Sequence, residues 1–96
     1  MDRTRTLQLL ANHKAELIDR FGVEKLALFG SMARGTAEQG SDVDVLVTFD
    51  GPATSKRYFG LQFYLEDLLG RPVDLVTNKA LRPEMRPYIE QEAINV

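Results

Sequence analysis

Apolar residues recur along this chain with two different periods, and the switches between them mark the elements. Leu7, Leu10, Leu17, Ile18 and Phe21 fall near helical spacing and Gly22 follows as a stop, which predicts an amphipathic helix over residues 4–21. Lys25-Leu26-Ala27-Leu28-Phe29 is a short apolar run that ends at Gly30, the pattern of a buried strand. Residues 31–37 open as a short helix, and Glu38-Gln39-Gly40 is a turn. Residues 43–49, rich in β-branched side chains, form a second strand. Asp50-Gly51-Pro52 breaks the chain. Thr54 or Ser55 then caps a helix running to about Leu69, with Tyr58, Leu61, Leu65, Leu68 and Leu69 as its apolar stripe and Gly70 as its stop. Residues 71–77 make a third strand, with Pro72 confined to its start or to an edge because it has no N–H for a ladder. Pro83 and Pro87 forbid one continuous helix over 81–94, and Pro87 suits the first turn of a helix ending near Ala93. Helices alternating with three strands place the chain in the α/β class.

Composition narrows the function classes. The 96 residues are read as one domain, 1–96, with no repeat, low-complexity segment or linker. Hydrophobic residues make up 44% and charged residues 27%, as in an ordinary globular protein. The net charge of −2 gives no broad attraction to nucleic acid. The absence of cysteine excludes disulfides and thiolate metal sites. No apolar run approaches the about 20 residues that span a bilayer. The start, Met1-Asp2-Arg3-Thr4-Arg5-Thr6, has no apolar stretch behind its charges, so a secretory signal is not expected and the cytoplasm is.

Candidate chemistry concentrates at two places. Asp42 and Asp44 stand one residue apart at the head of the second strand, so their side chains share a face, with Cα atoms roughly 7 Å apart. Two such carboxylates raise each other's pKa unless a cation lies between them, and hard oxygen donors at that separation suit Mg²⁺. Asp74, flanked by Val73 and Leu75, is costly to bury without a partner. If its strand lies beside residues 43–49, three carboxylates meet in one pocket. They could then hold two Mg²⁺ ions, one acid also accepting a proton from an attacking hydroxyl. Alone, each acid is equally explained as a solvated strand residue. Upstream, Gly30-Ser31 ends a strand and opens a helix, offering free N–H groups and a hydroxyl to a phosphate, or a plain N-cap. Arg34 reaches a triphosphate bidentately or lies on a solvated helix face. Tyr58, Phe59, Phe63 and Tyr64 are read mainly as core, with some exposed as partner surface, and are too clustered on one helix to form a base-stacking platform.

Taken in order, Gly30-Ser31-Met32-Ala33-Arg34-Gly35, then Ser41-Asp42-Val43-Asp44-Val45-Leu46-Val47, then Asp74, resemble the nucleotidyltransferase fold of DNA polymerase beta. More narrowly they resemble the minimal nucleotidyltransferases, over nearly the whole chain. The resemblance implies a small mixed sheet of about three strands flanked by helices. It implies that Asp42 and Asp44 hold two Mg²⁺ ions, with Asp74 as third ligand and base. It also implies that Gly30, Ser31, Arg34 and Ser41 bind the nucleotide. The implied reaction transfers AMP from ATP to a tyrosine hydroxyl of a HEPN-domain ribonuclease toxin, with this chain as its antitoxin. The small size, leaving no separate acceptor domain, favours a protein acceptor over a nucleic acid held by this chain. Two alternatives stay open: a small-molecule nucleotidyltransferase resembling the aminoglycoside-modifying enzymes, and an antitoxin that acts by binding alone.

Overall fold

A computed structural model describes residues 2–96. Helix α1 (Arg3–Phe21) begins where the Asp2 carboxylate accepts the Arg5 N–H and ends where Gly22 turns left-handed and donates its N–H to the Ile18 carbonyl. Strand β1 (Val23–Phe29) follows at once and runs into the short helix α2 (Gly30–Arg34). Helix α2 stops at Arg34 rather than at Ala37, because Gly35 takes the left-handed conformation there. Strand β2 (Val43–Phe49) leads through a loop to α3 (Ser55–Leu69), capped by the Thr54 hydroxyl at one end and by left-handed Gly70 at the other. Strand β3 (Val73–Thr77), a 3₁₀ turn over Asn78–Ala80, helix α4 (Arg86–Glu92) and strand β4 (Ile94–Asn95) complete the chain. Pro87 occupies the first turn of α4, as its missing N–H allows.

The sheet has four strands in the order β3-β2-β1-β4, one more than the pattern predicts. Strand β4 is only two residues, too short for a period, and its pairing of Ala27 with Asn95 and Leu28 with Ile94 is set by tertiary contact. Strand β1 runs antiparallel to β2 and β4, while β2 and β3 are parallel and joined through α3, so the sheet is mixed.

Alternation on β2 gives the sheet two unlike faces. Val43, Val45, Val47 and Phe49 are buried and meet Leu10 and Leu17 of α1 and Leu61, Leu65 and Leu69 of α3. Asp44, Leu46 and Thr48 point the other way. There a smaller apolar cluster of Phe29, Leu81 and Ile89, with Leu46, Val76 and Ala93 beside it, packs on the sheet. The expected apolar stripes are therefore narrower than read: Ile18 is 48% exposed, and Phe59 and Phe63 are 50% and 62% exposed, stacked on the outer side of α3 instead of in the core. The dry face needs only one stripe per helix, and these residues lie off it.

Strand β3 is a sheet edge, and α3 covers it. The Tyr58 hydroxyl donates to the Leu75 carbonyl, Gln62 Nε2 donates to the Val73 carbonyl at 3.1 Å, and Glu66 Oε2 accepts the Val73 N–H at 3.0 Å. Residues 58, 62 and 66 share one helical row, so a single side of α3 satisfies the outward groups of the edge strand. The same row fixes how far β3 slides along β2. Among the described residues no helix is long and apolar enough to cross a membrane.

The two kinds of α3 residue differ in what their loss costs. Leu65→Ala empties a fully buried site and is expected to cost about 3 kcal/mol, a fall in Tm of about 12–20 °C by thermal denaturation. Phe63→Ala, on the exposed side, should stay within about 0.5 kcal/mol of the parent.

Candidate active site

Register decides where the acids lie. In the parallel β2–β3 ladder Asp44 is the partner of Asp74, so the two side chains leave the sheet on the same face and side by side. In the antiparallel β1–β2 ladder Asp44 is the partner of Phe29, the residue before Gly30. Asp44 therefore stands between the Gly30 turn and Asp74. The Val43 N–H bonds to the Pro72 carbonyl at 2.9 Å and locks the start of both strands. Asp42 is in the loop immediately ahead of β2.

The electrostatics report the crowding. The Asp44 carboxyl is pushed up from 3.8 to about 6, first by its half-buried position, then by the charges of Asp74 and Asp42 and by a proton shared with Asp74; the Arg34 charge partly offsets this. Three hard oxygen donors whose mutual repulsion is felt at one sheet end suit a divalent cation. As the side chains stand, Asp44 and Asp74 are the touching pair. Among the described residues no three acidic, histidine or cysteine groups are gathered tightly enough to hold a metal ion.

Opposite the acids lies the Gly30-Ser31 turn. Gly30 adopts φ +72°, and a Cβ added there would fall inside the Asp44 carboxylate. Glycine is required twice, for the left-handed backbone and for the close approach of the acid. Ser31 is half-buried at the start of α2. Arg34, at the end of α2, places NH1 2.8 Å from Glu92 Oε2. Ser41 acts locally. Its Oγ accepts the Glu38 N–H at 2.9 Å and its own N–H donates to the Glu38 carbonyl at 3.0 Å, closing the turn before β2. The structure thus brings Gly30, Ser31, Asp44 and Asp74 to one end of the sheet, with Arg34 alongside and Asp42 and Ser41 in the adjoining loop.

One residue at the site has no signature in the pattern of the chain. Glu92, the last residue of α4, accepts the Gly30 N–H on Oε1 at 3.0 Å while its Oε2 takes Arg34. Arg34 first, and the Gly30 N–H after it, hold the Glu92 carboxyl below the usual carboxylate range. Its partners lie some 60 residues away along the chain, so no local spacing could have revealed it.

Two substitutions probe this geometry. Asp44 has a folded pKa above its unfolded one, so the native state holds the proton more tightly, and wild-type stability falls as pH rises from about 4 through about 6. Asp44→Asn removes that penalty. A shift of this size is nominally about 3 kcal/mol, and solvent screening at a half-exposed site reduces it, so a gain of about 1 kcal/mol is expected at neutral pH. Melting curves across pH should show the gain vanishing below about pH 4. Gly30→Ala should lower stability by at least about 1 kcal/mol from the left-handed backbone alone, with the Asp44 clash added.

Comparison with known proteins agrees with the geometry. The family model described as nucleotidyltransferase domain matches residues 10–96. A protein adenylyltransferase MntA from Thermococcus cleftensis is 41% identical over 88 residues, covering 92% of this chain and 89% of its own. A solved structure described as a minimal nucleotidyltransferase superposes with a TM-score of 0.80 at 38% identity, covering 100% of this chain and 97% of its own. A structure of a tri-AMPylated HEPN toxin from Shewanella oneidensis in complex with its MNT antitoxin gives a TM-score of 0.66 at 20% identity, covering 92% of this chain and 69% of the matched chain. At that identity the last likeness is one of fold. With a family model spanning nearly its full length, a relative of this closeness and the motif set on one sheet end, the chain belongs to the nucleotidyltransferase domain family and is a minimal nucleotidyltransferase.

Proposed function

We propose that this chain is a magnesium-dependent adenylyltransferase that moves AMP from ATP onto a tyrosine hydroxyl of a HEPN-domain ribonuclease toxin, and so serves as the toxin's antitoxin. The observation that carries the reading is the Asp44–Asp74 pair facing the Gly30-Ser31 turn on the open face of the sheet. The Thermococcus relative's name supports protein adenylylation, and the tri-AMPylated toxin in the Shewanella complex supports the kind of acceptor.

Each group has a role that its position suits. The Gly30 turn, with no Cβ, lets phosphate oxygens approach the backbone, and the Ser31 N–H and hydroxyl donate to them. The Arg34 guanidinium adds charge-assisted donors for the β- and γ-phosphates. Asp42, Asp44 and Asp74 are the groups that would hold Mg²⁺. A cation held by these carboxylates would offset the charge that builds on the phosphates during the displacement. Asp74 accepts the proton of the acceptor hydroxyl as its oxygen bonds to the α-phosphorus. The bond from the α-phosphorus to the bridging oxygen breaks, and pyrophosphate leaves.

Incubation with MgATP and the HEPN-domain partner should raise the partner's intact mass by whole AMP moieties. Asp44→Asn or Asp74→Asn should lower the rate by at least about 100-fold. An unchanged partner mass, with the toxin still silenced by the double variant Asp42→Ala/Asp44→Ala, would establish a binding-only antitoxin instead.

A further inference from the structure

The nucleotide end of this molecule is built partly from its C-terminal segment. Glu92 spends both carboxylate oxygens on the two residues that flank the proposed phosphate position: the Gly30 N–H, behind the turn that phosphate would approach, at 3.0 Å, and Arg34 NH1 at 2.8 Å. Such a carboxylate could act in two opposite ways. It could occupy the phosphate position and have to leave, or it could stand behind the donors and aim them.

Burial separates the two. The Glu92 side chain is 25% exposed and that of Arg34 is 52% exposed, so the carboxylate is the inner partner and the guanidinium the outer one. A guanidinium has five N–H donors in a rigid fork. One nitrogen, NH1, meets Glu92, and with the side chain 52% exposed the fork keeps donors that solvent or a ligand can reach. The carboxylate is also fixed from both sides. Ile89, before it, is buried against Phe29 and Leu81, and Ala93, after it, lies beside the same cluster. Beyond that, Ile94 and Asn95 pair with β1, and the Val96 N–H bonds to the Leu26 carbonyl at 2.9 Å. Phe29, the centre of this anchorage, directly precedes Gly30.

We propose that Glu92 is a positioning residue for nucleotide binding: from behind, it holds the Gly30 turn and the Arg34 guanidinium in the attitude that receives the polyphosphate. The proposal rests on the nucleotide-binding role proposed for Gly30 and Arg34. It deepens that role by making the α4–β4 tail part of the binding site. Glu92→Gln keeps the shape and an acceptor for Gly30 but sets an amide against Arg34, which frees the guanidinium to wander.

The test is calorimetric titration of ATP in Mg²⁺ into the full chain, for the wild type, Glu92→Gln, Arg34→Ala and the double variant, with melting curves to confirm folding. Glu92→Gln should weaken ATP about tenfold, the scale of losing an orienting partner of a ligand-binding group. On the Arg34→Ala background the same change should cost less than about twofold, since the group it orients is gone. Full additivity of the two losses would overturn the proposal, because a general loosening of the fold does not depend on Arg34. Unchanged or tighter binding by Glu92→Gln would overturn it too, the tighter case marking the carboxylate as a competitor. Should Glu92→Gln not fold, Glu92→Asp decides: weaker binding that disappears on the Arg34→Ala background supports the role, and unchanged binding overturns it. Failure of the wild type to bind ATP defeats the nucleotide reading itself, and that failure is recognisable because it precedes any substitution.

Discussion

The register of β3 on β2 is the constraint that governs the rest of this molecule. The parallel pairing of β2 with β3 sets Asp44 next to Asp74, and half-burial first, with the charges of Asp74 and Asp42 after it, raises the Asp44 pKa to about 6. Nothing in the dry core requires this arrangement. It persists because the opposite face of the same strands is over-determined: Val43, Val45 and Val47 on β2 and Val73 and Leu75 on β3 are all buried against the helices. A one-residue slip would turn those side chains to solvent, so the apolar face fixes the register and the acids must accept it. The local cost is carried at the proposed site, where a cluster of acids with a raised pKa marks a candidate for function.

The two sheet faces divide the labour. One face is covered by α1 and α3 and supplies most of the buried apolar surface. The other carries the smaller Phe29–Leu81–Ile89 cluster, and on it lie Asp44 and Asp74. Helix α3 serves both faces: its leucines fill the core, while Tyr58, Gln62 and Glu66 bind the outer edge of β3 and keep Asp74 in register with Asp44. Exposed Phe59 and Phe63 contribute to neither. The C-terminal segment, which begins as a lid on the cluster, ends by placing Glu92 behind the Gly30 turn.

Sequence reading and structure agree where the physics is local. Helix ends at Gly22 and Gly70, the Thr54 cap, the Pro87 start and the break at Asp50-Gly51-Pro52 follow from single-residue conformational preferences, and the structure shows each of them in place. The motif set around Gly30 and Asp42-Val43-Asp44 was legible through its resemblance to the nucleotidyltransferases, since taken singly each of these residues fits a solvated strand end or a helix cap equally well. Strand β4, exposed Ile18 and the outward phenylalanines of α3 were not legible. A two-residue strand has no period, and helical spacing says which residues share a stripe but not which stripe faces the sheet.

By itself the sequence determined the first three strands, the long helices and their ends, the family resemblance and the set of acids, since propensity, capping and alternation act over a few neighbouring residues. Only the tertiary structure decided that Asp44 and Asp74 are ladder partners, that a row on α3 secures the edge strand, and that Glu92 meets Gly30 and Arg34. Those are contacts between distant parts of the chain. They are set by which faces bury together, a property of the whole core that no local stretch of residues encodes.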